Sequence, residues 1–178
     1  SNQVSMINVA VIGFGFMGIT HALNIQRNKK LKLQAIITRN VDSITSKLNE
    51  KIGNFSSGEI DAEAIGQTPA YTSLRECLKY EKIDAVQICV HSNLHFEIAR
   101  EAIENGLHVF LEKPMCLQLE DGKLLINFAR QKKVKFMVGH VVRFMPAYKK
   151  LKSWMDNKTF GALSFISLTR FTGLASWG

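Results

Sequence analysis

Residues 7–18, INVAVIGFGFMG, constrain the fold more than any other stretch of the chain. Ile7 to Ile12 is a nearly continuous apolar run ended by glycine. A strand without a polar face is buried on both sides, as strands in parallel sheets are. Glycines 13, 15 and 18 follow in the spacing GxGxxG, and a helical pattern runs from Met17 to about Asn28. Strand, glycine turn and helix are together the context in which that spacing has meaning. The first glycine permits a tight turn, the second lets the backbone approach a pyrophosphate, and the third lets helix and strand pack closely. The helix N-terminus adds N–H groups and partial positive charge for phosphate. A tight turn without a ligand is the alternative. Gly13, Phe14, Gly15, Phe16, Met17 and Gly18 form the first candidate cofactor-binding group, with Phe14, Phe16 and Met17 as cover for the loop and core.

The same alternation continues down the chain. Leu33–Thr38, Ala85–Val90, Leu107–Leu111 and Val134–Gly139 read as further strands. Helices are expected over Asp42–Glu50 with Asp42 as cap, Leu94–Asn105 stopped by Asn105-Gly106, Leu117–Gln131, and from Pro146 to about Asp156. Ser73–Tyr80 carries Ser73 and, three residues on, Glu76, the pattern of a capping box. Residues 51–69, rich in Gly and Ser, read as loop. Ala162–Thr172 alternates like a strand with one wet face. Strands and helices in turn predict an α/β fold, a Rossmann-type doubly wound parallel sheet. Its expected span is residues 6–158, with 159–178 beginning something else. Met6 reads as a candidate start, and Ser1 to Ser5 as a leading arm.

A chain of 178 residues suits one domain. Its 46% hydrophobic and 21% charged content is that of a soluble globular protein, and no run reaches the ~20 apolar residues of a membrane span. The three cysteines, Cys77, Cys89 and Cys116, lack a CxxC spacing, which points to a reduced, cytoplasmic protein without metal or disulfide chemistry. Charge is uneven. Residues 1–121 hold 12 Lys/Arg against 14 Asp/Glu, while residues 122–178 hold 11 Lys/Arg against Asp156 alone. The lysines at 149, 150 and 152 sit at helical spacing without interleaved aromatics, so a solvated helix face is favoured over a nucleic-acid partner.

The second strand ends in Thr38-Arg39-Asn40, and the next acid is Asp42. NAD-specific folds usually place a carboxylate near this point for the ribose 2′-OH. A hydroxyl followed by a guanidinium suits a 2′-phosphate, so Thr38 and Arg39 favour NADP, with NAD as the alternative. Arg39 could also stack on an adenine or point to solvent.

Residues 85–114, AVQICVHSNLHFEIAREAIENGLHVFLEKP, resemble the Gfo/Idh/MocA family of NAD(P)-dependent oxidoreductases, through Asn93, His95, Glu97, Ala102, Gly106, His108, Val109 and Glu112-Lys113-Pro114. The opening VAVIGFGFMGITHA is similar to the same family, as is VGHVVRFMPAYKKLK. The resemblance implies that Lys113 lies by the nicotinamide and the substrate's reacting oxygen, as the catalytic residue. An ammonium there can polarise that oxygen, and burial beside a cationic ring should favour its neutral form. Glu112 and a cis-linked Pro114 would aim it. Asn93 and His95 would shape the turn near the nicotinamide ribose, with His91 standing where a small residue is expected. His21 and His108 read as structural.

The family pattern continues into a second domain with an Asp-x-x-x-His arrangement, and no such spacing follows residue 114. The resemblance therefore implies a truncated chain ending in the first strand of that α+β domain. It also implies cofactor binding with little turnover, on a sugar, polyol or related carbinol. A non-catalytic dinucleotide-binding module for regulation or assembly is the alternative. Leu163, Phe165, Ile166 and Leu168 would form an apolar edge through which copies of the chain could pair.

Overall fold

The computed structural model describes residues 6–49, 62–169 and 171. Six strands, β1 (Ile7–Ile12), β2 (Leu31–Ile37), β3 (Ala70–Tyr71), β4 (Ala85–Ile88), β5 (His108–Leu111) and β6 (Phe136–Val138), form one sheet. Their order is β3-β2-β1-β4-β5-β6 and every pairing is parallel. The order reverses beside β1, which makes the crevice beyond the carboxyl ends of β1 and β4 the switch point of a doubly wound fold.

Alternate residues of β1 feed two cores. Val9 and Val11 join Ile36 of β2 and the inner side of α1 (Phe16–Gln26), through Ile19, Ala22 and Ile25. Ile44 of α2 (Ile44–Asn49) and Ile65 of α3 (Ala62–Gly66) close that face. Ala10 and Ile12 face the other way, with Ile37, Val86, Ile88, Val109 and Leu111. They meet α4 (Leu74–Tyr80), α5 (His95–Glu104) and α6 (Leu119–Gln131), through Leu74, Cys77, Ala99, Ile103 and Leu125. Neighbouring residues of one strand thus serve opposite faces, which explains the nearly unbroken apolar runs.

Local signals act as their chemistry requires, with three corrections. Ser73 Oγ accepts from the Glu76 N–H at 3.2 Å, but the Glu76 carboxylate turns to the N–H and hydroxyl of Thr72 rather than to Ser73. Asp42 is not the cap of α2. It lies within a 3-10 helix, Val41–Ser43, whose cap position is Asn40. Of the stretch expected as loop, residues 51–61 lie outside the described residues, as does Glu50 at the end of the expected helix; Ala62–Gly66 is a helix, and Ala70–Tyr71, just past the expected loop, is a strand. Ser1 to Ser5 also lie outside them.

The first compact unit ends at Gly139, ahead of the expected residue 158. The second holds a 3-10 helix at Val141–Phe144 and α7 (Pro146–Asp156), which opens on proline where the first N–H needs no partner. On α7 the Lys150 ammonium sits 5.4 Å from the Trp154 ring centre and Lys152 pairs with Asp156. The expected strand over 162–172 is a further correction, because residues 163–169 form no strand. A strand exists through its ladder, and alternation supplies a face but not a neighbour to bond. Among the described residues no helix is long and apolar enough to cross a membrane.

Candidate functional site

Four backbone bonds carry the ladders one residue past the strands. The N–H of Gly13 donates to Ile37, that of Cys89 to Ile12, that of Glu112 to Ile88 and that of Gly139 to Leu111, at 2.7 to 3.0 Å. These residues stand in a row along the carboxyl edge, and the loops beyond them carry the candidate site.

The glycine loop has the shape its spacing predicts. Gly13 has φ +91°, and a Cβ there would lie 2.6 Å from the Cys89 carbonyl oxygen. A Cβ on Gly18 would lie 1.9 Å from the Gly13 oxygen. Gly15 differs: a Cβ there meets nothing within 4 Å, and Gly15 caps α1 with no side chain bonding to the helix start. Protein crowds the outer two glycines, while the middle one faces open space at a helix N-terminus. That cradle fits a dinucleotide pyrophosphate.

Phe14, expected as cover for the loop and core, lies in the core. Its side chain is 2% exposed in the α1-side core, so only its backbone can face a ligand. Phe16 is exposed and Met17 half-buried beside the loop. At the end of β2, Thr38 is nearly buried with its N–H on the Tyr71 carbonyl at 3.0 Å. Arg39 is exposed and pairs with no acid among the described residues.

After β4, Asn93 lies exposed in a 3-10 helix, Ser92–Leu94, with His91 exposed before it. His95, expected to shape the turn after β4, is buried. It is 1% exposed, with Nδ1 2.8 Å from the Pro114 oxygen and Nε2 3.1 Å from the Val90 oxygen. Both ring nitrogens face backbone carbonyls, leaving none for a cofactor. The ring instead ties the end of β4 to the loop after β5.

That loop carries Glu112-Lys113-Pro114, with the Lys113–Pro114 peptide cis as expected. Glu112 is buried, and its Oε1 receives His21 Nε2 at 2.9 Å. Lys113 is exposed, so the expected burial of its ammonium is not supplied by the described residues. Sequence reading missed the part His21 plays here. Glu112 lies 91 positions from His21, and no local spacing signals their pairing.

The thiols are poor nucleophiles. Burial, with the Glu112 carboxylate second, pushes Cys89 well above the usual range. Burial raises Cys77 to about 11 and also raises Cys116. Among the described residues no cluster of His, Cys, Asp or Glu could hold a metal. One cavity of about 350 Å³ lies beside Ile126, Arg130 and Phe136, and another of about 470 Å³ beside Leu23, Leu31 and Thr68. Neither of these two is lined by the glycine loop or Lys113, which lie along the carboxyl ledge of the sheet.

The oxidoreductase family with an NAD-binding Rossmann fold, GFO_IDH_MocA, matches residues 7–140, three quarters of the chain. The chain belongs to this family. An uncharacterised oxidoreductase of Synechocystis sp. is 30% identical over 94% of this chain and 41% of its own length. The myo-inositol 2-dehydrogenase of Thermotoga maritima is 29% identical over 92% of this chain and 45% of its own. The crystal structure of scyllo-inositol dehydrogenase from Lactobacillus casei with bound NAD(H) and scyllo-inositol superposes with a TM-score of 0.73. It is 26% identical, covering 88% of this chain and 43% of that one. The chain thus spans less than half the length of these relatives, and what it matches in them is the family's NAD-binding Rossmann domain.

Proposed function

We propose that the chain is the dinucleotide-binding part of an oxidoreductase that moves hydride between a nicotinamide cofactor and a sugar, polyol or related carbinol. The observation that carries this reading is the alignment of the glycine cradle, Thr38-Arg39 and Lys113 along one carboxyl edge of the sheet. Gly13, Gly15 and Gly18 would hold the pyrophosphate, and Thr38 and Arg39 the adenosine ribose. Asn93 would border the nicotinamide ribose. The nicotinamide supplies a hydride acceptor or donor when bound. Lys113 would hold the substrate oxygen with its ammonium, stabilising the negative charge that develops there as the hydroxyl proton is lost in oxidation, or as hydride reaches the carbonyl carbon in reduction. The inositol dehydrogenases among the relatives support a cyclic polyol or sugar as substrate.

The exposed Arg39, without an acidic partner among the described residues, and the lack of a carboxylate before Asp42 favour NADP over NAD. Calorimetric titration with both cofactors, on the wild type and Arg39→Ala, tests this. NADP should bind more tightly, and the substitution should weaken NADP by about tenfold, the worth of one charge-assisted bond, while sparing NAD. Equal affinities, unaltered by the substitution, sink the NADP preference.

Turnover by this chain alone should be weak, because the described residues leave Lys113 exposed. A non-catalytic binding module is the second reading. Robust reduction of cofactor with inositols or aldoses would exclude it. The exposed apolar residues Leu163, Phe165, Ile166 and Leu168 would pair two copies of the chain. Sedimentation should then show concentration-dependent association that Phe165→Asp suppresses; a monomer at all concentrations refutes the pairing.

A further inference from the structure

His21 lies in the second turn of α1, the helix whose N-terminus forms the glycine cradle, yet its ring reaches the residue before Lys113. We propose that His21 is a positioning residue for Lys113, acting through Glu112, and that it links Lys113 to occupancy of the glycine loop. This rests on the reading of Lys113 given above.

His21 Nε2 donates to Glu112 Oε1 at 2.9 Å, and Glu112 Oε2 accepts from the backbone N–H of Lys113 at 3.3 Å. The two oxygens of one carboxylate thus bridge α1 and the backbone that carries the ammonium. The pair has little access to water, with side chains 13% and 10% exposed. The Phe110 ring meets the imidazole edge-on at 5.2 Å. Gly139 leaves the space: a Cβ there would lie 3.1 Å from Phe110 Cζ and 3.4 Å from Glu112 Oε1. A carboxylate so enclosed is fixed by its donors, and removing one leaves buried acceptor capacity unpaired. Because His21 and the pyrophosphate cradle share one rigid helix, a dinucleotide that settles on the loop also fixes the frame from which Glu112 holds Lys113. His95 anchors the other side of the same triplet through the Pro114 carbonyl, but it belongs to α5.

The test is amine labelling. Limiting acetic anhydride is added with and without saturating NADP or NAD, and acetylation of Lys113 is read by mass spectrometry against Lys149. Calorimetry records cofactor binding on the same samples. In the wild type the dinucleotide should slow labelling of Lys113. In His21→Leu that protection should fall by about tenfold, the effect of one lost hydrogen bond to a charged group. His21→Gln, which returns a donor, should recover most of it. A merely structural histidine would lower stability in both variants and leave protection by bound cofactor unchanged. If His21→Leu does not fold, Glu112→Ala must show the same loss. Protection retained in His21→Leu, or in Glu112→Ala where that variant is used, overturns this inference alone. Equal labelling of the wild type with and without dinucleotide overturns the reading of Lys113 as well.

Discussion

Three glycines within six residues do different work, and substitution should separate them. Gly18→Ala forces a methyl to 1.9 Å from the Gly13 oxygen, so loop or helix must move, at a cost of about 1–3 kcal/mol typical of overpacking. Gly15→Ala meets open space, and as a cap change it should cost under about 1 kcal/mol. Its methyl instead projects where a pyrophosphate would approach. Urea denaturation and cofactor calorimetry on both variants should show Gly15→Ala stable but binding-deficient and Gly18→Ala destabilised. A Gly15→Ala protein that binds as wild type would remove the loop from the cofactor site. The loop was legible because its chemistry is local, twelve residues carrying strand, turn and helix start. The pairing of His21 was not: Glu112 lies 91 positions away, and imidazole spacing says nothing about which carboxylate the fold brings near.

At the scale of elements, long apolar runs were legible and short or dependent pieces were not. β1, β2, β4 and β5 declare themselves because both faces are buried. β3 is two residues long, too short for any period, and it exists because Ala70 and Tyr71 find the edge of β2. Residues 163–169 show the converse, a strand-like pattern without a ladder. A side-chain cluster secures β3 to α4 and β2: Tyr71 donates to Glu81 Oε1 at 2.7 Å, and Gln34 donates to Glu81 Oε2 at 2.6 Å. The bond to Glu81, with burial second, raises Tyr71 from its usual 10.0 to about 12. Gln34 first, and Tyr71 second, hold Glu81 below its ordinary value. Above pH 10 the unfolded chain loses the Tyr71 proton while the folded chain keeps it, so stability falls as pH rises through the interval to about 12. Urea midpoints should therefore decline more steeply for the wild type than for Tyr71→Phe over that interval. Parallel slopes would dissociate Tyr71 from the alkaline loss. Glu81 acts with opposite sign, its contribution present above its unfolded pKa and lost as pH falls through the lowered folded value.

Across the whole molecule the described sheet is a partition with a core on each side. Ile88, Leu111 and Val86 are fully buried on one face and Ile36 and Val11 face the other cluster, and removing the bulk of one such residue typically costs about 2–5 kcal/mol. The fold class was legible because alternation of strand and helix leaves few arrangements. What the domain does beyond the ledge was not, because residues 7–140 carry the dinucleotide part of longer relatives. The backbone bonds that run one residue past the strands set a sharp time boundary along that ledge. Amide protons of Gly13, Thr38, Cys89, Glu112 and Gly139 are tied into the sheet and should exchange with deuterium only through its opening. Those of Arg39 and His91, one or two steps further along the chain, have no such tie and should exchange in the first seconds. A map of exchange rates would draw the working edge as a line between slow and fast protons, with Thr38 on its slow side and Arg39, the next residue, on its fast side.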